Sequence, residues 1–386
     1  MLEERGEPLH ILYATIFFTS TSLGAVSFLL PVYAEELGAS YVTLGFIGTI
    51  GSATYMVMTL ISGALLDRFD RVRLYLVFSA FGAAVVLLFC AAKRVSDLMA
   101  LRGLLGVVSA MFFPTASTLV ADISHLEALT RSIGRYNMSW MAGFIAGPFF
   151  GGLISDLLGF RVLFVIMAAL IAASVTFIWV GLVTKVSSVD RPVSRGFDPS
   201  ALKGLYSAYL TILPYGVILG VYMSILPGQM RALGITPFVI GLLLTMTNIM
   251  RGLGFLNVER FISWGERRSL SLASCLMGAA LLTIAFSKNT LGFLAPLAMF
   301  GLSGGIITPI IQNAIAHRSP RHALGTVMGV HESVYGVGMC VGPMVGGVVA
   351  ETFQPATMYM SLAALSLLIL PLSHRLGGEM HPGLDE

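Results

Sequence analysis

The sequence predicts an all-α membrane protein of twelve transmembrane helices, arranged as two six-helix bundles related by a pseudo-two-fold axis. Three observations predict it. Hydrophobic residues make up 56% of the 386-residue chain and charged residues only 11%, where a soluble domain carries roughly 25% charged; mean hydropathy is +0.85. Apolar runs of membrane-crossing length recur along the whole chain. The chain also repeats itself: Gly147-Pro148 with Gly151-Gly152 returns 195 residues later as Gly342-Pro343 with Gly346-Gly347. The same offset carries Gly106, Pro114 and Gly134 onto Gly301, Pro309 and Gly329, and an offset of 196 carries Gly45, Arg71 and Gly82-Ala83-Ala84 onto Gly241, Arg267 and Gly278-Ala279-Ala280. A repeat of that period in an apolar chain implies two similar bundles.

A helix needs about 20 mostly apolar residues to cross a bilayer. That ruler places six spans near 10–33, 41–66, 73–92, 97–121, 132–155 and 160–183, and six more near 205–228, 237–258, 269–287, 290–316, 323–349 and 355–374. The longest polar stretch, Lys185 to Lys203, has two prolines and no apolar periodicity, so it reads as a flexible linker. The expected organisation is a first bundle over 1–184, a linker over 185–203 and a second bundle over 204–386.

Orientation follows from Lys and Arg, which accumulate on the cytoplasmic side. With the N-terminus inside, sixteen fall in inner segments: Arg5; Arg68, Arg71, Arg73; Arg131, Arg135; Lys185, Arg191, Arg195, Lys203; Arg260, Arg267, Arg268; Arg318, Arg321; and Arg375. Five fall in outer loops, namely Lys93, Arg94, Arg161, Arg231 and Lys288. Both termini are therefore expected in the cytoplasm of a cell whose plasma membrane the chain spans repeatedly. The acidic opening MLEERGE and the long apolar run after His10 do not read as a cleavable signal peptide. The net charge of +3 is spread over short loops, which argues against nucleic acid as a partner. Cys90, Cys275 and Cys340 each lie alone in an apolar stretch and read as small packing residues, with no metal-ligand spacing.

Three segments carry a family pattern. Between spans 2 and 3 the chain reads GALLDRFDRVR (Gly63 to Arg73); span 4 opens with RGLLGVVSA (Arg102 to Ala110); span 5 contains GFIAGPFFGG (Gly143 to Gly152). In order, they resemble motifs A, B and C of the major facilitator superfamily. The resemblance covers the whole chain, from the six-plus-six repeat to the central linker. It implies a secondary transporter that moves a small solute by alternating access. In that family, motif A belongs to a charge cluster that latches the bundles together on the inner side when the protein opens outward. Here it would comprise Gly63, Asp67, Arg68 and Arg71 with Asp122. Gly63 would let span 2 approach a neighbour, and a helix start near Ala323 would favour the Asp67 carboxylate by about 0.3–1 kcal/mol. The alternative is that these are ordinary inner-loop charges. The second repeat keeps Arg267 and Arg268 but has Ser263 where Asp67 would be, which speaks against a second latch.

Gly143, Gly147 and Gly151 form a stripe at i, i+4 and i+8, as do Gly338, Gly342 and Gly346; Gly152 adjoins the first. Small residues permit close helix approach, and Pro148 and Pro343 would bend their helices. In antiporter branches of the resembled family the first stripe is associated with sealing against leak. Plain helix packing is the alternative.

An ionisable side chain within a span costs roughly 2.5–3.5 kcal/mol on insertion scales. Glu332, with His331 beside it, lies in span 11, where its repeat mate is Asn137. A desolvated carboxylate there would have a raised pKa and could carry a proton, and histidine titrates near neutrality; a shielded pair that locks the helix is the alternative. For Arg102, the resemblance to motif B implies a role in proton coupling; the alternative is snorkelling to the outer headgroups. Arg251 in span 8 suits a counter-ion for Glu332 or an anchor for an anionic solute. Asn248, Gln312 and Asn313 either line a cavity or form helix–helix hydrogen bonds. Span 1 contains no acidic residue, which many multidrug antiporters of the family carry there.

The chain has no Gly-x-x-x-x-Gly-Lys-Ser/Thr loop, no His-x-x-x-His pair and no nucleophile elbow. It is expected to be neither an enzyme nor a holder of metal or cofactor. The leading expectation is a monomeric, proton-coupled exporter, an antiporter whose partners are a small solute, protons and lipid. Proton-coupled uptake of a nutrient such as an organic acid or sugar is the runner-up, and a membrane-embedded sensor or enzyme a distant third.

Overall fold

The computed structural model describes residues 6–183, 202, 204–319 and 324–376. Among these residues twelve helices are long and apolar enough to cross a membrane, and no strand forms. A bilayer offers the backbone no water, so each N–H and C=O must be satisfied within its own helix. Apart from Leu202, the linker expected over 185–203 lies outside the described residues.

The first six spans are α1 (Gly6–Glu36), α2 (Tyr41–Arg68), α3 (Arg71–Leu88), α4 (Val95–Ile123), α5 (Leu129–Leu158) and α6 (Phe160–Ile178), the last prolonged by a π-helical turn over Trp179–Val183. The eighth to eleventh are α9 (Pro237–Leu256), α11 (Glu266–Phe286), α12 (Thr290–Arg318) and α13 (Leu324–Thr352), with a short α10 (Val258–Ser263) after the eighth. The seventh and twelfth spans are each broken. The seventh is α7 (Tyr206–Ser224) followed by α8 (Leu226–Ala232), and the twelfth is α14 (Pro355–Leu367) followed by α15 (Ile369–Leu376). Pro227 and Pro371 lack the N–H that would reach back four residues, and their rings crowd the carbonyl there. Pro148 and Pro343, by contrast, sit inside uninterrupted α5 and α13.

Polar side chains set the helix starts. Ser40 Oγ accepts from the Thr43 N–H at 3.3 Å, Asp70 Oδ1 from the Arg73 N–H at 2.8 Å, and Asn289 Oδ1 from the Gly292 N–H at 2.9 Å. Each satisfies a backbone donor that a helix leaves free in its first turn. Gly159 adopts φ +87° in the one-residue turn between α5 and α6, a conformation open to glycine at little cost.

Contacts group the chain into two compact units, one from Met1–Ser194 with Leu226–Thr245, the other from Arg195–Ile225 with Met246–Glu386. In the first unit α1 packs on α5, α2 on α4 and α3 on α6; in the second α7 packs on α13 and α11 on α14. These are the same pairings displaced by six spans, and the repeat extends to single atoms. A Cβ at Gly143 would lie 2.8 Å from both the Phe17 carbonyl and the Thr21 nitrogen, and one at Gly338 would lie 2.8 Å from the Leu213 carbonyl and the Val217 nitrogen. Gly106 rests on the Gly51 carbonyl as Gly301 rests on that of Thr247. All of these partners are related by the sequence offsets of 195 and 196.

Candidate functional site

At the junction of α2 and α3, Arg71 is the first helical residue after the Asp70 cap. Its Nη1 donates to Asp122 Oδ2 at 2.7 Å and its Nε to the Leu66 carbonyl at 3.1 Å. The Asp122 side chain, at the end of α4, is only 8% exposed, whereas Asp67 is 43% exposed and 4.0 Å from Arg71. Arg71 thus ties α3 to α4 and to the end of α2, with Asp67 at the margin. Arg68 is exposed at the end of α2. The helix start near Ala323, which was to favour Asp67, lies outside the described residues. Gly63 corrects its expectation: nothing among the described residues lies within 4 Å of where its Cβ would be. It faces outward on α2, so no close crossing depends on it.

The glycine stripes do pack closely. A Cβ at Gly147 would stand 2.5 Å from the Thr21 carbonyl and 2.6 Å from the Ala25 nitrogen; one at Gly151 would stand 2.7 Å from Leu29 Cδ1. Gly342 meets the Val217 carbonyl, and Gly346 comes 2.8 Å from Val221 Cγ2. The first stripe rides on α1 and the second on α7. A different face of α5 meets the start of α9 within the first unit: Gly152 lies against the Pro237 carbonyl, Gly241 against the Pro148 carbonyl, and Thr245 Oγ1 donates to the Ile145 carbonyl at 3.1 Å.

Within the spans, His331 and Glu332 on α13 touch, with Nδ1 3.3 Å from Oε1. Their environments differ: the His331 side chain is 1% exposed and that of Glu332 50%. The desolvated carboxylate expected from sequence is therefore corrected to one that reaches the surface of the fold, because the 100° step between neighbours turns it away from the histidine's buried face. At the repeat-related position Asn137 Oδ1 accepts from Trp140 Nε1 at 3.1 Å. Arg102 turns inward, its Nη1 3.3 Å from Ser27 Oγ on α1 and its side chain against buried Gly51 on α2. This geometry does not fit snorkelling.

Arg251 corrects another expectation. It forms no ion pair with Glu332 or with any other carboxylate among the described residues. Instead the hydroxyl of Tyr335 is its hydrogen-bond partner, Tyr215 and Tyr222 of α7 stand close by, and its guanidinium lies 5.6 Å over the Phe255 ring. Tyr215 and Tyr335 stack with centroids 6.1 Å apart. Gly305 of α12 sits against the Arg251 carbonyl and Gly254 within 2.8 Å of Gly305, so a close crossing of α9 on α12 fixes the arginine's backbone. Gln312 and Asn313 are half-buried on α12 and make no side-chain hydrogen bond among the described residues, whereas Asn248 is buried and engaged. Of the cysteines, Cys275 is exposed, which corrects its reading as a packing residue.

Sequence reasoning missed three features. The Asp70 cap was legible as Asp ahead of a helix. The tyrosines were legible as Tyr215 and Tyr222, seven apart and so on one face of a helix. The third is an ion pair between Glu266 Oε2 and Arg318 Nη2 at 2.8 Å, joining the start of α11 to the end of α12. The repeat points only near it: the offsets carry Arg71 and Asp122 onto Arg267 and His317, each one residue from the pair.

Twelve membrane-crossing helices that repeat their packing at atomic register, with cations and hydroxyls held inside, define a multi-pass membrane transporter. The chain belongs to the Major Facilitator Superfamily, whose family model matches residues 12–213 and 208–378. It is 27% identical over 380 residues to a multidrug resistance protein MdtG of Proteus mirabilis, covering 92% of each chain. It is 24% identical over 381 residues to the MdtG of Yersinia enterocolitica, covering 93% of this chain and 90% of that one. Among solved structures, the nucleoside transporter NupG superposes with a TM-score of 0.81 at 14% identity, covering 97% of this chain and 100% of that one, a likeness of fold.

Proposed function

We propose that this transporter is a secondary active exporter in the plasma membrane, driven by proton antiport. The chain works as a bundle over 1–184 and a bundle over 204–386, joined by a cytoplasmic linker over 185–203. Alternating access exposes a small solute first to one side of the membrane and then to the other. The observation that carries the coupling is the Glu332–His331 contact on α13. An acid within a span is costly and calls for a functional reason. The repeat has an amide, Asn137, at the same place, so the fold itself does not require the acid. The export direction is supported by the tight Gly143–Gly147–Gly151 packing, which matches the antiporter motif, and by relatives named as multidrug resistance proteins.

The test is transport in inverted vesicles across a broad panel of compounds, with and without a pH gradient. Wild-type protein is expected to accumulate a compound only when the lumen is acidic. Glu332→Gln retains the volume but not the titration; it is expected to abolish accumulation while leaving exchange at equal pH intact, because exchange moves no net proton. Gradient-driven accumulation at the wild-type rate in Glu332→Gln would make the carboxylate structural and move the search to Arg102, Asp122 or Arg251.

A further inference from the structure

Among the described residues Arg251 is a cation without a carboxylate partner, in a part of the protein where charge is costly. Its Nε is buried and has no hydrogen-bond partner among the described residues, and the same holds for the hydroxyl of Tyr215, a residue 0% exposed. These two unspent donors belong to one cluster, since Tyr215 is a near neighbour of the guanidinium and stacks on Tyr335, which hydrogen-bonds it. Arg251 and Tyr335 are both only half-buried, so the cluster is reached from outside the core. Buried polar atoms are almost always paired, and a guanidinium fork has the geometry of a flat oxyanion.

The repeat sharpens the point. At an offset of 196, Tyr55 stands where Arg251 does, so the helix pairing that both units share is built without an arginine at this position. The nearest acid on α13 is Glu332, three residues before Tyr335, and it pairs with His331. One uncompensated positive charge matches a single negative charge. The Phe255 ring beneath the guanidinium and the stacked tyrosines offer apolar faces to whatever bears it.

We propose that Arg251, Tyr335 and Tyr215 form the subsite that binds the anionic head of the transported solute, a monocarboxylate attached to an aromatic or similarly apolar body. This rests on the chain being a transporter of a small solute, and it is independent of proton coupling and of direction.

The test is equilibrium binding by titration calorimetry to purified protein in detergent at constant pH, so that failure of the antiport reading leaves it untouched. The probes are benzoate, salicylate and 1-naphthoate, each beside its carboxamide, which has the same shape and no charge. At least one acid is expected to bind about tenfold or more tighter than its amide, as a charge-assisted hydrogen bond implies. Arg251→Gln is expected to erase that preference. Tyr335→Phe and Arg251→Lys, which remove one hydroxyl and the planar fork respectively, are expected to reduce it and keep the test open should Arg251→Gln fail to fold. Absence of binding by all three acids, equal binding of acids and amides, or an acid preference unchanged in the three variants would overturn the assignment.

Discussion

Glu266 and Arg318 pair at 2.8 Å, each one residue from where the repeat carries Arg71 and Asp122, which pair at 2.7 Å with the opposite order of charge. The expectation that the second repeat lacks a charge cluster looked for an aspartate at Ser263. What recurs is a different member of the cluster, the tie between the third and fourth spans of each repeat. The exchange keeps the tie between the two helix ends, and in the second repeat each charge also suits its helix dipole, Glu266 at a start and Arg318 at an end.

Removing one partner of the Glu266–Arg318 pair is expected to destabilise the protein by about 1 kcal/mol, the upper range for pairs that solvent still reaches. The swap of Glu266→Arg with Arg318→Glu should recover only part of it, because each charge then opposes the dipole of its helix end. Melting temperatures of the two single variants and the double variant in detergent would check this; additive losses would show that the pair contributes nothing.

Within the motif A cluster, burial ranks the two acids. Asp122→Asn is expected to lower the melting temperature more than Asp67→Asn, because the Asp122 side chain is 8% exposed against 43% for Asp67 and lies closer to Arg71. Arg71→Ala should impair transport while protein still reaches the membrane. Equal melting temperatures for the two aspartate variants would contradict the ranking.

The glycines separate cleanly. Gly147→Ala and Gly342→Ala place a methyl against backbone atoms of α1 and α7 and are expected to cost about 1–3 kcal/mol, as overpacking does. Gly63→Ala meets nothing within 4 Å and should leave stability unchanged or slightly raised. Yield and melting temperature of the three variants give the comparison.

Topology is open to labelling. With Cys90, Cys275 and Cys340 replaced, Ser194→Cys in the linker is expected to react with an impermeant maleimide in inverted vesicles and to be protected in intact cells. Labelling from outside would reverse the orientation inferred from sixteen inner against five outer basic residues.

Much of this protein was legible in the chain. Span positions follow from the cost of leaving backbone or charge in hydrocarbon, a constraint local to each segment and so visible in composition. The glycine stripes were legible because close approach requires the absence of a side chain, whichever helix supplies the partner, and the repeat offsets then named that partner twice.

What the tertiary structure decided was direction and company. Sequence put Glu332 and Arg251 inside spans, but the turn of α13 sent the carboxylate to the surface and against His331. The crossing of α9 on α12 at Gly254 and Gly305 placed the arginine among tyrosines of α7 and α13. Which side chain meets which depends on the rotation and depth of several helices at once, and no periodicity along a single helix contains that. The backbone geometry of each span is written in its own residues, whereas the partners of its few polar groups are fixed only when the helices pack.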